Sequence, residues 1–144
     1  MHAELTPREI VLTLLATPLA LCRLPAGAAV PDWTVHTREF LTISRTPTEL
    51  SIVADEAALP EELDAERGYR MFRVNGPLPL NLIGIFAVIA GPLADAAVPI
   101  FPIATYDTDY VLVPGSALAT AMSALERAGH RVIVEDARGS TRKT

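Results

Sequence analysis

The sequence predicts an α+β protein built from two ferredoxin-like units in tandem, the first degenerate, with antiparallel sheets and helices on one face. Three observations carry this. The second half reads strand–helix–strand–strand–helix–strand, the ferredoxin-like order. The first half repeats its hairpin: at an offset of 60 positions Ile43 meets Ile103, Thr48 meets Thr108, Glu49 meets Asp109, Ile52 meets Leu112 and Val53 meets Val113. Upstream, at an offset of 50, Leu21 to Leu24 meets Met71 to Val74. The first copy is therefore about ten residues shorter, and the gap falls where the second copy has its long helix. The expected units are 9–60 and 67–136, flanked by flexible tails at 1–8 and 137–144.

Ile10 to Ala16 and Leu19 to Leu24 read as strands around a Thr17-Pro18 turn. Val30 to Arg38 is a short link in which Trp33 serves as a packing anchor. Glu39 to Ser44 and Leu50 to Ala54 form the first hairpin. The acidic stretch from Asp55 to Gly68 reads as the linker. Tyr69 to Val74 is a strand, and Asn75 to Pro79 a turn. A helix is expected from about Leu80 to Ala97, with Leu82, Ile85, Phe86, Ile89 and Leu93 as its buried stripe. Pro92 removes a donor from it. The second hairpin runs from Val98 to Val113 around a polar turn, Thr105 to Asp109. Ser116 opens a helix to Ala128 with Leu118, Met122 and Leu125 inward, and Gly129 ends it. Arg131 to Glu135 is the last strand.

Composition narrows the function classes. The 144 residues carry 12 basic against 17 acidic side chains, a net charge of −5. No basic face is visible, so a nucleic-acid partner is not expected. The single cysteine, Cys22, allows neither an internal disulfide nor a thiolate zinc site and reads as a buried core thiol. Ile10 to Leu21 lacks the preceding positive charge of a secretory signal. Leu78 to Ala94 is apolar, but Asn81, Gly84, Gly91 and Pro92 interrupt it, and it falls short of a membrane span. A cytoplasmic protein without a membrane partner is expected.

Catalysis is not expected. His2, His36 and His130 have no serine, cysteine or acid at a recognisable spacing. No glycine-rich phosphate loop is present, and neither a metal site nor a cofactor is expected. Asp107 and Asp109 match a two-carboxylate metal motif only in a nucleotide-binding fold for which the chain is too short. The residues do permit a binding site. The loop from Asn75 to Asn81 feeds a helix N-terminus, whose free N–H groups attract a carboxylate. Asp109 can hold an ammonium group, and Thr105 and Thr108 offer hydroxyl or carbonyl contacts. The pair suits a free α-amino acid. The competing reading is that Asp109 bonds to its own turn; on the residues alone the two stand level.

Tyr69-Arg-Met-Phe-Arg-Val-x-Gly76, Gly84 to Ala94, and Ile103-Ala-Thr-Tyr-Asp-Thr-Asp-Tyr-Val-Leu-Val113 resemble the ACT domain of bacterial proteins related to the eukaryotic cytosolic arginine sensors (the CASTOR family). Phe40 to Val53 resembles the first, degenerate ACT unit of that family, and the likeness spans Leu12 to Val134. The resemblance implies a regulatory or sensor protein without catalytic activity that binds a small molecule, typically an amino acid. It also implies a homodimer and a regulated protein partner. Thr105 and Asp109 match ligand-holding positions, and the loop before the helix, Asn81, Leu82 and Ile83, contributes as well; with Thr108 these are the expected ligand-binding residues. Where the arginine sensors carry acids at the start of the helix, this chain has Asn81 and Leu82. A guanidinium would lack its partner, which implies a smaller or apolar amino acid. The alternative is an ACT-type dimerisation or interaction module that binds no ligand.

Overall fold

The computed structural model describes residues 9–136 and 141–143. Among the described residues there are nine strands: β1 Val11–Leu14, β2 Leu19–Leu24, β3 Leu41–Arg45, β4 Leu50–Asp55, β5 Glu66–Val74, β6 Phe101–Ala104, β7 Asp109–Pro114, β8 Arg131–Glu135 and β9 Thr141–Lys143. The α-helices among these residues are α1 Ile85–Asp95 and α2 Leu118–Arg127. The chain divides into two compact units, Thr17–Tyr69 and the remainder.

In the larger unit the strand order is β6-β7-β5-β1-β8-β9, with Arg70–Val74 as the contribution of β5. The α1 stripe is Ile85, Ile89 and Leu93, spaced four apart and all buried, as one helix face requires. They pack with Phe72 and Val74 of β5, Val111 and Val113 of β7, and Ala121 and Leu125 of α2. Ile89 and Leu93 are fully enclosed, each contributing about 1.5–3 kcal/mol by burial. Helix α1 is shorter than expected. Leu82 N–H bonds to the Pro79 carbonyl in a turn, and Gly84, at φ 84°, stops helical geometry from extending back to Leu80. Phe86 lies off the buried stripe and is 38% exposed.

Both helices end in a Schellman motif. At α2, Gly129 N–H bonds to the Glu126 carbonyl and His130 N–H to that of Leu125, with Gly129 at φ 94°. At α1, Ala97 N–H bonds to Ala94 and Val98 N–H to Leu93, with Ala97 at φ 59°. Val98 is thus spent on the helix end, and β6 starts at Phe101. A 3₁₀ turn, Gly115–Ala117, precedes α2, whose cap position is Ala117 without a side-chain bond. The expected Ser116 cap is therefore not made.

The smaller unit has strand order β3-β4-β2-β5, its β5 part being Glu66–Tyr69. Its elements follow as strand, 3₁₀ turn Asp32–His36, two strands, 3₁₀ turn Glu56–Ala58, strand. Single turns stand where the larger unit has helices. Its core is Ala20, Cys22, Leu50, Ile52, Ala54 and Leu59, with Trp33, Leu63 and Ala65 packed against it. Burial pushes the Cys22 thiol up from its usual pKa.

Three expectations about organisation change. The first strand was expected in the unit 9–60, yet β1 pairs antiparallel with β5 and parallel with β8, inside the larger unit. Asp55 to Gly68 is folded rather than a linker: Leu59 is buried and the Arg67 guanidinium donates to the carbonyls of Pro60 and Leu63. The expected tail at 137–144 includes β9, which pairs with β8; residues 1–8 lie outside the described residues.

The two hairpins do correspond, at an offset of 59 rather than 60. Each has a four-residue turn closed in the same way. Thr46 N–H bonds to the Glu49 carbonyl, and Thr105 N–H to that of Thr108, both at 2.9 Å. Arg45 pairs with Leu50 as Ala104 pairs with Asp109. The position of Asp109 is therefore held in the smaller unit by Leu50, which is fully buried.

Candidate functional site

A cavity of about 220 Å³ opens in the larger unit between the loop that precedes α1 and the β6–β7 turn. Its walls are Leu78, Leu82 and Ile85 on one side and the segment Ala104 to Asp109 on the other. Four contacts set its shape. Leu78 N–H donates to the Asp107 carbonyl at 2.8 Å, fastening loop to turn. Thr108 Oγ1 donates to the Val74 carbonyl at 2.7 Å, fastening the turn to the end of β5. Thr13 Oγ1 donates to Asn75 Oδ1 at 2.7 Å, holding the start of the loop. Gly76 lies so close that a Cβ there would stand 2.9 Å from the Leu78 nitrogen and 3.4 Å from the Asp107 carbonyl oxygen.

The cavity has two chemically distinct ends. Asp109 opens β7 in the same alternation as Val111 and Val113, which are buried in the core beneath the helices. Its side chain is therefore directed to the α1 face of the sheet. Facing it is the first turn of α1, where Ile85 lines the cavity. The first N–H groups of a helix have no intrahelical acceptor and favour an anion; the first such bond in α1 is from Val88 N–H to the Gly84 carbonyl. Leu78, Leu82 and Ile85 supply apolar surface. Leu80 and Tyr106, 73% and 80% exposed, stand at the rim.

Of the expected ligand-binding residues, Thr105, Leu82, Thr108 and Asp109 line the cavity, whereas Asn81 and Ile83 do not and are exposed. The Thr108 hydroxyl is committed to Val74, and Thr105 Oγ1 donates to the Thr108 carbonyl at 3.2 Å. Both threonines build the turn. Leu78, Ile85 and Ala104 were not singled out as ligand contacts. The signal for Leu78 and Ile85 was present, since Leu78 is an apolar residue within the loop already identified and Ile85 an apolar residue just beyond it. Among the described residues no group of three or more His, Cys, Asp or Glu side chains is arranged to hold a metal, and no helix is long and apolar enough to cross a membrane.

A family model described as an ACT domain matches residues 64–127, and a second, described as an N-terminal domain, matches residues 18–62. The cytosolic arginine sensor for mTORC1 subunit 1 of Pongo abelii is 32% identical over 113 residues, 73% of this chain and 34% of the relative. The chain thus spans about a third of the length of the curated relatives it matches. Among solved structures, a protein of Agobacterium tumefaciens superposes with a TM-score of 0.83 at 32% identity, covering 90% of this chain and 96% of that one. Aspartate kinase of Clostridium acetobutylicum shares the fold at 13% identity, with a TM-score of 0.63 over 88% of this chain and 36% of that one.

Proposed function

The chain belongs to the ACT-domain family and is related to the cytosolic arginine sensors, and from that premise we propose that it is a non-catalytic regulatory protein that binds a free amino acid. The observation that carries this reading is the Leu78–Asp107 clamp, which sets the Asp109 carboxylate and the first turn of α1 on one cavity. Asp109 holds the ammonium group, and the α1 N-terminus holds the carboxylate. A volume of about 220 Å³ lies below the range usual for drug-sized ligands and suits one amino acid. The walls formed by Leu78, Leu82 and Ile85 are apolar, and Asn81 and Leu82 stand where the arginine sensors carry acids, which favours a smaller or apolar amino acid over arginine. The smaller unit is a degenerate ACT unit, because its 3₁₀ turns replace both helices and Leu50 occupies the acidic position. The protein acts in the cytoplasm, where ligand binding biases contact with a regulated protein partner.

A second reading has its own support. Among the described residues strand β6 pairs only with β7 and leaves an open edge at Phe101–Ala104, so the protein would serve as a homodimerisation module joined through sheet edges, with or without ligand. A thermal-shift screen against the twenty amino acids separates the two. At one hundred times the dissociation constant a ligand stabilises by about 2.7 kcal/mol. Stabilisation by one amino acid or a small group of them supports the sensor; no shift with any of them leaves the module.

A further inference from the structure

A second, apolar cavity of about 340 Å³ adjoins the first and is lined by Phe86, Pro102, Ile103, Ala104, Asp109 and Tyr110. Asp109 and Ala104 line both, and they are the cross-strand partners that flank the turn of the β6–β7 hairpin. We propose that the ligand is an α-amino acid with a large apolar side chain, and that this side chain lies in the cavity beside Phe86 and Tyr110. The inference rests on the amino-acid reading above and names the class of ligand.

Three features support it. Asp109 is the only carboxylate shared by the two cavities, so an ammonium group bound there has the carboxylate end of the ligand on one side and an apolar space on the other. Ala104, opposite Asp109, is small and leaves the way between them open. Phe86 sits one residue past Ile85, off the stripe that α1 buries, and remains 38% exposed. An aromatic ring there packs little of the protein's own core and is placed to cover a ligand side chain.

Calorimetric titration of the intact protein with glycine, alanine, leucine and phenylalanine tests this. Leucine or phenylalanine is expected to bind at least about 10-fold more tightly than alanine, since a single methylene in an apolar pocket is worth that much. Phe86→Ser, a change at a partly exposed position, is expected to remove most of that preference and leave alanine binding unchanged. If alanine binds as tightly as the larger amino acids, or if Phe86→Ser leaves the ratio intact, the inference falls and the amino-acid reading stands. If none of the twenty amino acids binds, both fall.

Discussion

His130 Nε2 lies 2.9 Å from the carbonyl oxygen of Val88. That carbonyl faces Pro92 four residues on, which has no N–H to offer it. The other ring nitrogen, Nδ1, accepts the Ile10 N–H at 3.1 Å, so Nε2 carries the proton and donates. One buried imidazole thus satisfies both a gap in α1 and the residue leading into β1, while the His130 backbone N–H closes the end of α2 on the Leu125 carbonyl. His130→Ala is expected to cost about 2 kcal/mol, because buried polar groups lose their partner. Introducing Pro92→Ala in that background should recover part of the loss by restoring the helical N–H. Urea unfolding of the two single variants and the double variant measures the coupling.

The two Schellman ends differ in one residue. Gly129 takes the left-handed position at α2, and Ala97 takes it at α1. A left-handed alanine costs roughly 1–2 kcal/mol, part of which glycine gives back in chain entropy. Ala97→Gly is expected to stabilise the protein by about 0.5–1 kcal/mol. At Gly129 an added Cβ would meet nothing within 4 Å, so Gly129→Ala should cost about 1 kcal/mol through backbone strain alone. A rise in the melting temperature for the first and a fall for the second are the expected readings.

Gly76→Ala probes the site wall. The added Cβ, 2.9 Å from the Leu78 nitrogen, would push the loop away from the Asp107 carbonyl and open the cavity. Ligand affinity is expected to fall at least about 10-fold, with the far-UV circular dichroism unchanged. Unaltered affinity in titration would detach the clamp from binding.

Asp55 supplies the pH dependence. Burial raises its pKa, but the N–H groups of Arg38, Glu39 and Phe40, with the Thr37 hydroxyl, outweigh burial and hold the carboxyl below its usual value. A depressed folded-state pKa means stability that is fully present above the unfolded value, about 3.9, and lost as pH falls through the folded one. Asp55→Asn should lower stability at pH 7 by about 1–3 kcal/mol. It should also flatten the dependence of stability on pH below about 4. Denaturant midpoints measured from pH 7 down to pH 3 give the comparison.

Where hydrophobic periodicity decides, the sequence was readable: the α1 stripe at Ile85, Ile89 and Leu93 and both hairpins follow from residue spacing. Phe86 fits the same helical spacing yet faces outward, because the stripe is narrower than the apolar run. The pairing of β1 with β5 and β8 was not readable, since a short apolar strand carries no mark of its partners. The hairpin repeat was visible at an offset one residue too long. Identities such as Thr48 with Thr108 outnumbered the true turn equivalence of Thr46 with Thr105, which only hydrogen bonding reveals. For the site, Asp109 and the loop were legible from charge and turn chemistry. The commitment of the Thr108 hydroxyl to Val74 was not, because their contact spans 34 positions.

The role of Asp109 is tested most directly by titrating the amino acid that gives the largest thermal shift into the unaltered protein and into Asp109→Asn. Loss of a charge-assisted bond to the ammonium group is expected to weaken binding at least 10-fold, with the melting temperature of the free protein little changed. Equal affinity in the two proteins would contradict the account.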